Sequence, residues 1–309
     1  MNAATIFVGK DGVRAGWRVL IYLIVTALCV AVGGVIARFL FRPTHVNGIS
    51  ATLLLRSESL FAAMVVAGLF LMAKIERVSL GTFGLPARTS LPRIAVGAVW
   101  GFAAMTALLA VMHLLHGFDY GSVVDSASTE FRSAVLFAIG FFFVGVAEEV
   151  LFRSYLLFSL ARGVGFWPAA VISSAGFAFV HSHNAGETII GLVAVFAVGL
   201  LFCLFVQRTG NLWFPIGFHA AWDWAETYFY GVPDSGAPAT GPLFHSSLHG
   251  PAWLTGGTVG PEGSWLCFIA IVLTGLLFAF VYRTTLYHPK AQNTFLDLRS
   301  NEMLADPAQ

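Results

Sequence analysis

Residues 140–158 read GFFFVGVAEEVLFRSYLLF, and the fold follows from this stretch. Apolar side chains flank Glu148, Glu149 and Arg153 on both sides over a length that no single strand would use. A bilayer core of about 30 Å takes roughly 20 residues of helix to cross, and this run supplies them. Ionisable groups inside such a helix are costly, so each marks a candidate functional site. Glu149 and Arg153 are four apart and share a helix face, where an ion pair makes burial of the arginine tolerable. Glu148 lies about 100° round the helix and is left to point elsewhere.

Working outward, seven further windows have the length and hydropathy of a span, which makes eight: 19–36, 53–73, 94–115, 134–160, 166–183, 189–206, 212–230 and 265–282. The second is the weakest, because Arg56 and Glu58 interrupt its start. With the N-terminus placed in the cytoplasm, thirteen of the seventeen basic residues fall inside, and only Arg38, Arg42, Arg56 and Arg132 fall outside. Setting Arg153 aside still leaves twelve against four, so the positive-inside bias puts both termini in the cytoplasm and makes the span number even. The first run follows Lys10, Arg14 and Arg18 and reads as an uncleaved anchor. The expected fold is all-α: a polytopic transmembrane helix bundle, N-in and C-in. Residues 1–282 form one membrane-embedded domain with its motif core at 134–230, and 283–309 form a polar cytoplasmic tail. Residues 231–263, with thirteen Gly or Pro, make an outer loop.

Composition agrees. Of 309 residues, 57% are apolar and 11% charged, and the mean hydropathy is +0.79, which excludes a water-soluble globule. Net charge is +1 with no basic run interleaved with aromatics, so nucleic acid is excluded as a partner. Cys29, Cys203 and Cys267 lie far apart in apolar runs and read as small core residues, not as a disulfide or thiolate metal framework.

Two more spans carry unexpected polar groups. The fifth has His181 and His183 in SSAGFAFVHSHNAG, and the seventh has His219, Asp223 and Glu226 in NLWFPIGFHAAWDWAETY. His219 and Asp223 are four apart and can project into one cavity; Phe177 and His181 repeat that spacing. His183 points to another face at the outer end of its span, and Glu226 is expected near the outer interface. His245 and His249 read as loop histidines, and Trp17, Trp167, Trp213 and Trp265 as interfacial anchors. A carboxylate in low dielectric, with an imidazole beside it, can orient and deprotonate a water for attack on a carbonyl. A second imidazole and a carboxyl or carboxamide can stabilise the resulting oxyanion. One Glu and two His (Glu148, His181 and His219) are equally a ligand set for a catalytic divalent metal such as zinc. Both routes fit these residue types.

The ordered set Glu148-Glu149-x-x-x-Arg153, Phe177-x-x-x-His181 and His219-x-x-x-Asp223 resembles the motifs of the CPBP intramembrane protease family, which includes the type II CAAX prenyl endopeptidases. The resemblance spans residues 148–223. It implies a CAAX-endopeptidase-like hydrolase with its site inside the bilayer. In it, Glu148 activates the water, His181 assists, His219 and the residue at 223 stabilise the oxyanion, and Glu149 and Arg153 hold the fourth helix, with Phe177 packing beside them. Where the prenyl endopeptidases carry Asn, this chain has Asp223; it is protonated, orients His219, or joins a metal site. The expected partners are membrane lipid and a peptide or protein substrate reached within the membrane, and the expected location is a cell (inner) membrane. Two rival readings use the same residues: a proton- or ion-coupled transporter, and a catalytically idle membrane chaperone or immunity protein.

Overall fold

The computed structural model describes residues 8–9, 12–41, 48–123, 127–184 and 186–287. Most of the polar tail, 288–309, and with it Lys290 and Arg299, lies outside the described residues, as do Lys10 and Arg42. The structure is the all-α bundle expected from hydropathy. Its helices are α1 (Ala15–Leu40), α2 (Ala51–Ile75), α3 (Ser90–Leu114), α4 (Ala127–Arg153), α5 (Tyr155–Val164), α6 (Phe166–His181), α7 (Ile189–Thr209), α8 (Trp213–Asp223), the short α9 (Ala252–Thr255) and α10 (Trp265–Val281). Sheet structure among the described residues is limited to two-residue ladders and isolated bridges, of which Phe118–Asp119 with Ser247–Leu248 ties the segment after α3 to the loop before α10. Five helical stretches are long and apolar enough to cross a membrane: Ala15–Leu40, Ala51–Ile75, Ala87–Leu114, Phe131–Val164 and Ile189–Thr209. Phe166–His181 and Trp265–Val281 are shorter apolar helices.

The window 134–160 differs in detail from a single span. The helix breaks at Ser154, whose backbone leaves helical geometry (φ −94°, ψ −112°) while its hydroxyl donates to the Phe83 carbonyl at 2.9 Å. The break turns α5 away directly after Arg153. The window 212–230 is also composite: α8 runs to Asp223 and continues as a π-helical turn over Trp224–Phe229, a feature frequent at functional sites. Loop residues fasten that turn, since Leu243 and Phe244 donate backbone N–H groups to the Tyr228 and Phe229 carbonyls at 2.7 and 3.2 Å.

The two larger apolar cores hold most of the bundle. One gathers Tyr22, Leu69, Tyr155, Phe158 and Phe166 around α1, α2, α5 and α6. The other gathers Met105, Phe205, Phe214, Phe218 and Phe278 around α3, α7, α8 and α10. Helices α3 and α8 touch through glycine: a Cβ on Gly97 or Gly101 would run into the backbone carbonyl of Phe214 or Phe218, and one on Gly217 into that of Ile94. Such small-residue contacts suit membrane helices, where close packing replaces the hydrophobic effect between them. Apolar residues of α10 such as Leu273, Leu276 and Phe280 face outward and are exposed, the surface that lipid would cover.

Candidate active site

Glu149 and Arg153 pair as their spacing requires, with Nη1 donating to Oε1 at 3.2 Å, and both side chains are completely buried. The guanidinium is held in place by rings. Its carbon lies 4.1 Å from the Phe177 ring centroid, 5.4 Å from Phe202 and 5.7 Å from Phe152. Gly199 on α7 makes room for it, because a Cβ there would stand 3.0 Å from Nη2. Phe177 also packs on His181, 4.3 Å between ring centroids, so the Phe of that motif joins the arginine to the histidine.

His219 is the hub of the site. Its Nδ1 donates to Glu149 Oε1 at 3.2 Å, which extends the Arg153–Glu149 pair by one member. Its Nε2 faces Glu148 Oε2 at 3.6 Å and Asp223 Oδ2 at 3.5 Å. Asp223 is buried, whereas the Glu148 side chain keeps a quarter of its exposure. Glu149 and Arg153 thus orient the imidazole as well as pairing with each other. His181 directs Nδ1 at the Phe177 carbonyl, 2.9 Å away. A carbonyl only accepts, so Nδ1 carries a proton, and with a single proton on the ring Nε2 is an acceptor. Phe177, His181, His219 and Asp223 line one cavity with Trp222 and Glu262, whose volume of about 50 Å³ has room for a few waters. Glu148 stands at the His219 ring and is not part of that lining.

A single ion needs its ligand atoms within about 5 Å of one another. Among the described residues, Glu148, His181 and His219 are not gathered this closely. The set does not fit one zinc ion in this arrangement, and no step is derived through a metal there.

A second group of carboxylates was not legible as a cluster. Glu226, expected near the outer interface, is fully buried on the π-helical turn. Asp234 and Glu262, from the two ends of the loop, meet it, and each of the three offers an oxygen within 4.8 Å of the others. Burial, and after it the charge of Glu262, pushes the Asp234 carboxyl up to about 7. One sequence signal was available: between Gly231 and Gly263, Asp234 and Glu262 are the only acidic residues, and Lys and Arg are absent. The other polar residues fall as expected, with His183, His245 and His249 exposed.

The segment that supplies these side chains can be compared with known families. Residues 130–225 match the family described as type II CAAX prenyl endopeptidase Rce1-like. This stretch carries the Rce1-like pattern. It takes in all seven motif residues, from Glu148 to Asp223, and it supports an intramembrane CAAX-type protease in a membrane helical bundle. No curated protein and no solved structure matches the chain. The α1–α3 part and the loop with Asp234 and Glu262 lie outside the Rce1-like segment.

Proposed function

We propose that the protein is an intramembrane endopeptidase that hydrolyses peptide bonds of membrane-associated or lipid-adjacent substrates with a carboxylate-activated water. The observation that carries this reading is the placement of His219, held at Nδ1 by Glu149 and facing Glu148 and Asp223 from Nε2. Glu148, the most accessible of the carboxylates around the imidazole, is the general base. It takes a proton from a water that His181 Nε2 helps to orient, and the hydroxide adds to the scissile carbonyl. His219 stabilises the oxyanion from Nε2, which requires a proton on both ring nitrogens; the surrounding Glu148, Glu149 and Asp223 compensate that charge. Glu148 then returns its proton to the leaving amine. Asp223 acts through His219 as a positioning residue. The largely apolar walls limit the access of bulk water to the reacting groups.

The test is cleavage of a prenylated CAAX peptide and a small membrane-peptide library by protein in liposomes. Glu148→Gln is expected to lower kcat by 10³-fold or more while the helical content is unchanged, in line with loss of a general base. Asp223→Asn, which restores the residue found in the prenyl endopeptidases, is expected to stay within about tenfold of wild type, and Asp223→Ala to fall well below it. Phenanthroline, a zinc chelator, is expected to leave the rate unchanged. Full cleavage by Glu148→Gln would sink the mechanism, and loss of activity on chelation would move Glu148, His181 and His219 to the role of ligands.

A further inference from the structure

Glu226, Asp234 and Glu262 form a second carboxylate group beside the His219 cavity, which Glu262 also lines. Glu226 is wholly buried, yet neither of its carboxylate oxygens accepts a hydrogen bond. The donors nearby are used elsewhere: the Thr227 hydroxyl on Asp234 at 2.9 Å, the Trp222 indole on Glu262 at 3.1 Å and the Ser235 hydroxyl on Glu262 at 2.9 Å. No Lys or Arg occurs between Arg208 and Arg283 to supply a counter-charge from these segments. A buried carboxylate with no donor is paid for by a cation or a proton.

The spacing favours a cation. Oxygens that share a calcium ion lie 2.3–2.6 Å from it and so are at most about 5 Å apart, and the three carboxylates fall within 4.8 Å. An octahedral magnesium ion would draw them closer, and an all-oxygen set disfavours thiophilic metals. The oxygens of Asp234 and Glu262 that already accept hydrogen bonds keep a second lone pair for a metal. We propose that Glu226, Asp234 and Glu262 bind a hard divalent cation of calcium size that straps the loop 231–263 to the end of α8. The ion joins the π-helical turn and the nearby start of the loop to the loop's far end. Closing the loop at both ends removes chain freedom that hydrogen bonds alone would leave. Glu262 and Ser235 also line the His219 cavity, so the strap fixes one of its walls. This site does not depend on the peptidase reading, and its test reads binding instead of cleavage.

The full chain, purified in detergent and stripped with EGTA, is titrated with Tb³⁺ while tryptophan is excited, since the Trp222 indole touches Glu262. The expected result is saturable sensitised emission at one ion per chain, competed by Ca²⁺, with affinity at least tenfold weaker in Glu226→Gln and in Asp234→Asn. Equilibrium dialysis of radioactive Ca²⁺ against wild type gives the same stoichiometry without any variant, so a misfolded mutant does not leave the matter open. Absence of saturable binding by wild type overturns the proposal, as does unchanged affinity in both variants. A wild type that binds no ion but gains thermal stability from Glu226→Gln shows that protons neutralise the cluster, which also overturns it.

Discussion

Arg153 sets the order of the residues proposed to be catalytic although it reaches none of the atoms proposed to react. Its guanidinium is closed in by the Phe152, Phe177 and Phe202 rings and pairs with Glu149, which in turn fixes His219 Nδ1. Removing one charge of a fully buried pair leaves the other without compensation, at a cost of about 3–5 kcal/mol. Arg153→Met is therefore expected to destabilise strongly in thermal unfolding in detergent, whereas Glu149→Gln combined with Arg153→Met regains most of the loss. Cleavage is not expected to return in the double variant, because the glutamine amide no longer holds the imidazole as an ionised carboxylate does. Full activity in the double variant would show that the pair serves stability alone. The pairing of Glu149 with Arg153 was legible from their spacing of four; the link to His219 was not, since it joins residues 70 apart that only the packing of α4 against α8 brings together. Asp223 near His219 was legible for the same reason as the first pair, both being on one helix.

Between elements, glycine determines how closely α8 approaches its neighbours and hence where His219 stands. Gly97 and Gly101 of α3 and Gly217 of α8 leave room for backbone against backbone, and Gly145 of α4 lies against the Ile216 carbonyl, 3.0 Å from where its Cβ would be. Gly101→Leu would put a side chain into the Phe218 carbonyl, one residue before His219. The expected result is a lower unfolding temperature and a more than tenfold loss of cleavage, because backbone atoms cannot step aside as a flexible side chain could. Gly34→Leu on α1, where nothing lies within 4 Å, is the control and should change neither. If Gly101→Leu behaves like the control, α8 does not owe its position to the seam. The helices themselves were readable, because length and hydropathy are local properties. The break at Ser154 and the π-helical turn were not, because each depends on a distant partner: the Phe83 carbonyl for the first, and Leu243 and Phe244 for the second. The carboxylate cluster escaped for the same reason, with its three members on a helix end and the two ends of a loop.

On the scale of the whole molecule, basic residues are in excess at one end of the bundle. At one end Arg18 pairs with Glu76 at 2.7 Å, Arg208 donates to the Arg283 carbonyl at 2.7 Å, and the Trp213 indole donates to the Pro86 carbonyl at 2.8 Å. These bonds bring together the start of α1, the ends of α2, α7 and α10, and the segment that holds Arg77 and Arg88. At the other end Ile49 donates to the Pro238 carbonyl, and Phe118–Asp119 pairs with Ser247–Leu248, in a region whose loop has no Lys or Arg. Positive charge is retained on the cytoplasmic side when a membrane protein inserts, so the arginine-rich end should be cytoplasmic and the loop 231–263 should face the opposite side. Two exposed residues report on this, Arg88 at the first end and His245 at the second. In bacterial cells producing the protein, a membrane-impermeant maleimide is expected to label His245→Cys in intact cells and Arg88→Cys only after permeabilisation. The wild-type cysteines set the background, with Cys203 and Cys267 buried. The reversed pattern would invert the orientation and place the termini outside. It would also place the proposed cation site on the cytoplasmic side, where a free calcium level far below millimolar would demand a tighter site. The labelling pattern therefore bears on both the topology and the ion that the loop can hold.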